Sequence, residues 1–286
     1  MYDHYFDEVR KAAQLRNFRP SSATMYCYYL KWFFNDIYPL DPADASDEDI
    51  RDFLISKKNA GLSPETVNLY YSAIRFLFIN VLRRPWDSQY IPRMKRDHFL
   101  PYVPTREEII FLLDHADNLK YKSLFAVMYS AGLRLSEAVH LHYEDVDRRR
   151  KSIYVRESKS RGDRYTLLAD NCLEILTEYW YKFGRPTDYL FPGRDPHAHI
   201  TANSVEQAIS RIKRNYEMNP NITCHSLRHA FASHLYEEGT DIHVIQALLG
   251  HQSIQSTEIY IHTSDKTLLG IVSPFDKFNE VDHEKN

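Results

Sequence analysis

Apolar residues near the start of the chain recur at the spacing of a helix surface. They form two faces, which are Tyr26, Leu30, Phe33, Phe34 and Ile37 and, further on, Val67, Tyr71, Ile74, Phe78 and Val81. Steps of three and four residues place such side chains on one side of an α-helix. Ser63 with Pro64 is typical of a helix start, and Ser46 with Asp49 indicates another. The pattern predicts a small helical bundle over residues 1–85.

Neither a helical nor a strand period persists in the next stretch, residues 86–104. Prolines interrupt this stretch and its edge, at Pro85, Pro92, Pro101 and Pro104. Proline lacks an amide donor and disfavours helix in the residue before it, so clustered prolines favour an extended connection. We interpret residues 86–104 as an interdomain linker, which also carries the basic residues Arg93, Lys95 and Arg96.

Helical patterns return after the linker, with one change of period. Thr105 and Glu108 form a capping box, and a helix from about Lys120 ends near Gly132. Further helices are predicted over residues 170–183, 202–216, 226–238 and 241–249. Between residues 151 and 168, the runs SIYVRE and RYTLLA alternate like short strands around the turn-rich link SKSRGD. The chain is therefore predicted to be mainly α, and its second domain, residues 105–286, to contain a small antiparallel β-sheet.

Charge is distributed unevenly along the chain. The net charge is −3, which taken alone disfavours a nucleic-acid partner. Residues 147–164, however, hold eight basic residues against three acidic ones, a local excess of five positive charges. A solvated charged hairpin explains such a run equally well.

The chain shows no signal for a membrane or for export. It has no apolar run of roughly 20 residues and no basic-then-apolar start, so we expect a cytoplasmic protein. Three cysteines without CxxC spacing disfavour a disulfide framework and a thiolate zinc site. They are expected to be ordinary, partly buried thiols.

Five short segments carry side chains suited to phosphate chemistry. They are AGLRLSE with Arg134, SKSRGDR with Lys159, HSLRH with His225 and Arg228, LLGHQS with His251, and STEIYIH with Tyr260. Two guanidiniums neutralise a phosphodiester, lysine and histidine move protons, and a phenol can attack phosphorus without a metal. Together the segments indicate a site that cuts and rejoins nucleic-acid strands.

More ordinary explanations exist for each residue by itself. Arg134 with Glu137 could be a structural ion pair, and His225 or Arg228 a helix cap or a surface charge. His225, His229 and His234 could bind zinc, but Ser226 stands where an HExxH helix has glutamate. No P-loop and no GxSxG elbow are present, which disfavours ATP use and serine hydrolysis. We expect neither a metal nor a cofactor.

The segments AGLRLSE, HSLRHAFASHL and LLGHQSIQSTEIY resemble the active-site boxes of tyrosine recombinases, the phage integrase family. The likeness covers roughly residues 105–263 and is greatest to simple members of the Xer, transposon or integron type. It implies an N-terminal core-binding (SAM-like) domain and a catalytic domain that forms a 3′-phosphotyrosyl link to DNA. The implied catalytic residues are Arg134, Lys159, His225, Arg228, His251 and Tyr260, with Glu137 in support.

The resemblance implies that Tyr260 attacks the phosphate and that Arg134 and Arg228 bind its nonbridging oxygens. It also implies that His225 and His251 assist proton transfer. The family commonly has glycines around its lysine, whereas this chain has Ser158 and Ser160. Because of this difference, the resemblance leaves two residues as the implied general acid, Lys159 and Arg161. The implied partner is double-stranded DNA with specific recombination sites, bound by a tetramer on paired sites and by a monomer or dimer otherwise. Candidate DNA contacts are Arg93, Lys95, Arg96, Arg148, Arg161 and Arg164.

Several points stay open from the sequence. The apolar tail after Tyr260 could close its own domain or be exchanged between protomers; its residues are Leu268, Leu269, Ile271, Val272, Phe275 and Phe278. A type IB topoisomerase-like enzyme and a DNA-binding regulator without catalysis are the alternative functions. The sequence does not distinguish resolution of chromosome dimers from integration or excision of a mobile element. Because the N-terminal part is only weakly similar to Xer proteins, a mobile element is favoured. A recombinase is expected to be associated with the nucleoid.

Overall fold

The computed structural model describes residues 2–95, 100–156 and 162–263, with side chains as far as Tyr260. The chain divides into two compact units, Met1–Phe99 and Leu100–Asn286. Lys159, Arg161 and Arg96 lie outside the described residues, as does the tail beyond residue 263. Predictions that concern them therefore stay predictions.

The first unit is helical, as predicted. Its helices are α1 (Asp3–Leu15), α2 (Pro20–Ile37), α3 (Asp47–Asn59) and α4 (Pro64–Asn80). The Ser63 side chain accepts a hydrogen bond from the Thr66 amide, and Pro64 occupies the first turn of α4. Ser46 and Asp49 form a full capping box at the start of α3. Both predicted helix starts are confirmed, because these short polar side chains satisfy amides that a helix leaves without partners.

The core of the first unit is built from the two predicted faces. Leu30, Phe33 and Phe34 of α2 pack with Ile74 and Phe78 of α4, and all five are buried. The core also extends into the predicted linker, where Ile91 is buried and Trp86 and Met94 pack against the cluster. The Asn68 side chain holds this segment through both the amide and the carbonyl of Met94. The part of the predicted linker from Trp86 to Met94 therefore packs against the core of the first unit.

The second unit is mostly α. Its helices are α5 (Arg106–Asp114), α6 (Leu119–Ala131), α7 (Leu135–Val139), α8 (Asp170–Lys182), α9 (Ala202–Asn215), α10 (Cys224–Glu237), α11 (Ile242–Leu249) and α12 (Gln255–Thr263), with a 3₁₀ turn at Tyr143–Asp145. The Thr105–Glu108 capping box is confirmed at α5. Gly132 ends α6 with φ of 62°, and a Cβ there would collide with the Phe231 ring. Only glycine satisfies both requirements at low cost.

A three-stranded antiparallel sheet interrupts these helices. Its strands, in order, are β1 (Val146–Asp147), β2 (Ser152–Val155) and β3 (Arg164–Leu167). The β2–β3 register runs from Ser152 opposite Leu167 to Val155 opposite Arg164, which confirms the predicted hairpin. Strand β1 was not predicted, because two residues are too few to show alternation. The sequence between β2 and β3 contains Lys159.

Helix α12 was also missed by the sequence pattern. The predicted helices end at residue 249, and the helix that carries Tyr260 was not among them. Its residues QSTEIYIHT are mostly polar, so the helical stripe is weak. The mainly α fold with a small sheet is otherwise confirmed. No helix among the described residues is both long and apolar enough to cross a membrane.

Candidate active site

Arg228 lies at the centre of the candidate site. Thr223 caps α10, and Arg228 follows within the second turn. Its side chain is 1% exposed and donates to the carbonyls of Gly132 and Leu249, each at 2.7 Å. These carbonyls belong to the ends of α6 and α11, where helix carbonyls lack partners. Arg228 therefore connects three helices and is far more than a surface charge.

Arg134 and Glu137 form the second part of the site, at the start of α7. The Glu137 carboxylate accepts from the Arg134 amide at 2.9 Å and from its guanidinium at 2.6 Å. The same carboxylate lies 3.6 Å from Arg228. One buried carboxylate thus orients two of the predicted phosphate-binding guanidiniums.

Arg164 does not lie where its prediction as a DNA contact requires. Its side chain is 9% exposed and donates to both oxygens of Glu137, at 3.1 and 2.8 Å. Its Nε donates to the carbonyl of Leu248 at 2.8 Å. The cause is the direction of β3, where Arg164 and Thr166 face inward while Tyr165 is 59% exposed. Polar residues take the inner side of this strand, which is the reverse of the usual alternation.

The charges in this cluster shift one another. Burial alone would raise the pKa of Glu137, but the hydrogen bonds and charge of Arg164, helped by Arg134 and Arg228, hold it at about 2. Burial and the positive charge of Arg134 lower the pKa of Arg228 to about 10. Arg228 and the Glu137 carboxylate are therefore both charged near neutral pH. The excess of positive charge suits a phosphodiester, whose transition state carries additional negative charge.

Two histidines connect this cluster to the predicted nucleophile. The rings of His225 and His229 lie 4.4 Å apart, and the ring of His229 lies 5.6 Å from that of Tyr260. Desolvation, followed by the charges of Arg228 and Arg134, lowers the pKa of His225. Desolvation and His225 lower the pKa of His229 to about 4. The sequence pattern did not indicate that His229 lies between His225 and Tyr260.

His251 lies on the other side of Tyr260. The two rings are nearly parallel, with centroids 6.4 Å apart. The Nδ1 atom of His251 shares a hydrogen bond of 2.9 Å with the buried hydroxyl of Thr257. Thr257 was not identified from the sequence, although it precedes Tyr260 by three residues and so shares its helix face. The bond fixes how the His251 ring faces the site.

Tyr260 is brought to the site by α12. Its side chain is 1% exposed and packs with Phe231, Ile245 and Leu249. Burial raises the pKa of its phenol, whereas the charges of Arg228 and Arg134 act in the opposite direction. The arginines therefore favour the phenolate that an attack on phosphorus requires.

A polar cavity of about 330 Å³ opens beside His225. It is lined by Leu100, Pro101, Tyr102, Asn221, Thr223, His225, Ser226 and His229. The wall includes hydroxyl, amide and imidazole groups, which can bind phosphate or sugar oxygens. Asn221 and Tyr102 were not identified from the sequence, since neither belongs to one of the five segments.

The predicted DNA contacts Arg93, Lys95 and Arg148, which belong to the described residues, are exposed. Arg148 lies near the Trp180 ring at 5.9 Å, and Arg93 donates to the Ser72 hydroxyl at 2.9 Å. Lys95 is exposed on the first unit. Such long cations on a surface can reach backbone phosphates.

The zinc alternative is not supported by the described geometry. His234 shares a hydrogen bond of 2.9 Å with the Tyr129 hydroxyl, whereas His225 and His229 face each other. Throughout residues 2–95, 100–156 and 162–263, no three His, Cys, Asp or Glu side chains group as a metal site. The three cysteines are in no disulfide and are buried, whereas the sequence led us to expect partly buried thiols.

Comparisons with known proteins give matches to both parts of the chain. Residues 104–267 match the Phage integrase family, and residues 5–88 match the phage integrase N-terminal SAM-like domain. A candidate integrase/recombinase of Sinorhizobium fredii is 34% identical over 92% of this chain and 85% of its own length. Tyrosine recombinase XerC of Erythrobacter litoralis is 32% identical over 74% of this chain and 73% of its own.

Solved structures show the same fold. A lambda integrase dimer bound to a core site superposes with a TM-score of 0.75 at 17% identity, over 90% of this chain and 94% of that one. XerH bound to its difH substrate gives a TM-score of 0.68 at 21% identity, over 88% and 80%. Since a family match covers more than half of the sequence and the relatives align over most of it, this chain belongs to the phage integrase family of tyrosine recombinases.

Proposed function

We propose that this protein is a site-specific DNA recombinase that cuts and rejoins duplex DNA through a 3′-phosphotyrosyl intermediate on Tyr260. The observation that carries the proposal is the convergence of Arg134, Arg228, His225 and His251 around one buried tyrosine. These residues are dispersed over more than a hundred positions of sequence. A structural role alone does not require a phenol between imidazoles and charged guanidiniums.

In the proposed reaction the Tyr260 oxygen attacks the scissile phosphorus and loses its proton. The new bond joins tyrosine to the 3′ side of the strand, and the bond from phosphorus to the 5′ oxygen breaks. Arg134 and Arg228 neutralise the nonbridging oxygens, where charge increases in the transition state. The number of phosphoester bonds stays constant, so a 5′ hydroxyl can reverse the step and reseal a strand.

Proton transfer falls to the imidazoles and to one further cation. His225, whose pKa is lowered, is largely neutral near pH 7 and can accept a proton or a hydrogen bond from the reacting groups. His251 is hydrogen-bonded to Thr257, and its ring lies beside that of Tyr260, where it can assist deprotonation of the phenol. The leaving 5′ oxygen is protonated by Lys159 or Arg161, both outside the described residues.

The proposed partner is double-stranded DNA that carries recombination sites. Lambda integrase and XerH, whose fold this chain shares, are described in complexes with core-site DNA and difH DNA. The helical bundle of residues 1–85 and the catalytic domain of residues 105–286 would both bind the duplex, with Arg93, Lys95 and Arg148 on phosphates. Strand exchange requires four active sites on paired duplexes, so we propose a tetramer on DNA. The site of action would be the nucleoid in the cytoplasm.

Mapping of covalent cleavage tests the function. The full chain is incubated with fragments of the DNA that flanks its own gene, denatured, and the protein-linked ends are sequenced. A nicked suicide duplex is then built on the mapped position, so that the released strand diffuses away and the adduct accumulates. Tyr260→Phe should abolish the adduct and retain DNA binding. An adduct that persists in this variant would reject the assignment of the nucleophile.

Relaxation of plasmids without a mapped site is the informative second measurement. A recombinase should act at its site and join strands between two duplexes. Supercoil relaxation without any preferred sequence would instead favour the topoisomerase-like alternative. Tight binding without cleavage would favour the DNA-binding regulator.

A further inference from the structure

Arg164 links three separate elements of the catalytic unit, its own strand β3 and the helices α7 and α11. It lies on β3 opposite Val155 and donates to Glu137 of α7 with both terminal nitrogens. Its Nε donates to the carbonyl of Leu248 at the end of α11. A guanidinium is planar and carries its donors in a rigid fork, so these bonds jointly fix the distances between β3, α7 and α11.

Its partner Glu137 is the residue that orients the phosphate-binding arginines. The Glu137 oxygens accept from Arg134 at 2.6 Å and lie 3.6 Å from Arg228. A carboxylate side chain can rotate, and Arg164 opposes that rotation by bonding both of its oxygens. The position of the two clamp guanidiniums therefore depends on a third arginine.

The same side chain contacts the turn that precedes His251. The last two carbonyls of α11 are held by arginines, Leu248 by Arg164 and Leu249 by Arg228. Gly250 follows with φ of 67°, and a Cβ there would lie 2.8 Å from the Cδ of Arg164. Arg164 thus packs directly on the residue before His251.

We propose that Arg164 is a positioning residue that aligns Arg134, Arg228 and His251 for the attack, and that it is not a DNA contact. The inference rests on the proposed recombinase function. Arg164 is also the residue at which β3 begins, five positions after Lys159 in the sequence. Misplacement of reacting groups by about 1 Å costs roughly 10²-fold in rate.

Single-turnover cleavage of the nicked suicide duplex measures this role. Arg164→Ala should form the Tyr260 adduct roughly 10²-fold more slowly than the wild type. Arg164→Lys keeps the charge but cannot bond both Glu137 oxygens and Leu248, so it should stay at least about 10-fold slow. The matched control is Arg211→Ala, which removes an arginine that bonds Asp117 at 2.9 Å on an exposed part of the same unit. It should cleave at the wild-type rate.

A scissile methylphosphonate separates positioning from a general loss of structure. This linkage replaces one charged nonbridging oxygen by methyl and so needs less help from guanidiniums. If Arg164 aligns the clamp, the rate ratio of wild type to Arg164→Ala should shrink on the methylphosphonate, by about 10-fold. A variant that is merely less folded would lose the same factor on both substrates.

Binding of the same duplex at several salt concentrations tests the rival role as a DNA contact. The slope of log affinity against log salt should be unchanged in Arg164→Ala, whereas loss of a phosphate contact lowers it by about 1. Thermal unfolding is followed for each variant, and Arg164→Lys decides the matter if the alanine variant is unfolded.

The inference is overturned by wild-type cleavage rates in both Arg164 variants, by equal losses on the two substrates, or by a reduced salt slope. Absence of any adduct in the wild type would instead overturn the proposed function. The two failures are therefore distinguishable.

Discussion

The interiors of the two units differ in the interactions that they contain. The first unit packs Leu30, Phe33 and Phe34 against α4 in an apolar core. The second has an apolar core too, but beside it three arginines surround one buried carboxylate, Glu137. An apolar core needs only side chains of suitable size and pattern, whereas buried charges need particular partners at particular distances. The apolar core stabilises a fold, and the arginine cluster around Glu137 is the part that we propose binds the reacting phosphate.

The largest expected effect is a loss of stability when a buried ion pair is removed, compared with removal of an exposed one. Glu137→Ala should lower the free energy of unfolding of the catalytic unit by about 3–5 kcal/mol, since it leaves the guanidiniums without their shared counter-charge. Urea unfolding of the full chain measures it. The matched control is Glu238→Ala, which removes the exposed pair with Arg106 and should cost about 0–1 kcal/mol. Similar costs for the two variants would contradict the comparison.

A cavity in the first unit should act on stability alone. Leu30→Ala removes a fully buried side chain and should cost about 3 kcal/mol in the free energy of unfolding. At a temperature where the variant is folded, its rate of adduct formation at saturating DNA should match that of the wild type. A loss of cleavage rate under those conditions would mean that the apolar core also sets the geometry of the site.

The smallest expected effect is a pH dependence that arises from the site. His229 has a folded pKa of about 4 against an unfolded value near 6.5, so the unfolded chain binds more protons between these values. Stability contributed by neutral His229 is therefore complete above about pH 6.5 and is lost as the pH falls towards 4. The difference in unfolding free energy between wild type and His229→Gln should change by about 2–3 kcal/mol over that window. A difference that is constant with pH would show that burial does not suppress protonation of this imidazole.

The sequence was most informative where one local pattern determines a structure. The caps at Ser46, Ser63 and Thr105 were predicted because a short polar side chain satisfies nearby amides without help from distant residues. The helical faces of α2 and α4 were predicted because their period persists over several turns. The polar residues of the site were identified by residue type and order, and their individual roles stay proposals.

Patterns failed where distant contacts decide the outcome. Arg164 resembled the other basic residues of residues 147–164, yet contacts to Glu137 and Leu248 turn it inward. On β3 the exposed side chains are Tyr165 and Leu167, so hydrophobicity pointed to the wrong face. Helix α12 has a weak apolar stripe and is held by packing of Tyr260 against Phe231 and Leu249.

The amino-acid sequence by itself determined the helical first unit, the β2–β3 hairpin and the set of side chains proposed to bind phosphate, because each depends on spacing or residue type over a short stretch. Only the tertiary structure decided which arginines surround Glu137, which carbonyls Arg228 holds and how Tyr260 packs near His229 and His251. Those contacts join residues from β3, α7, α10, α11 and α12. Their energies depend on burial and on exact distance between charges, neither of which exists until the helices pack.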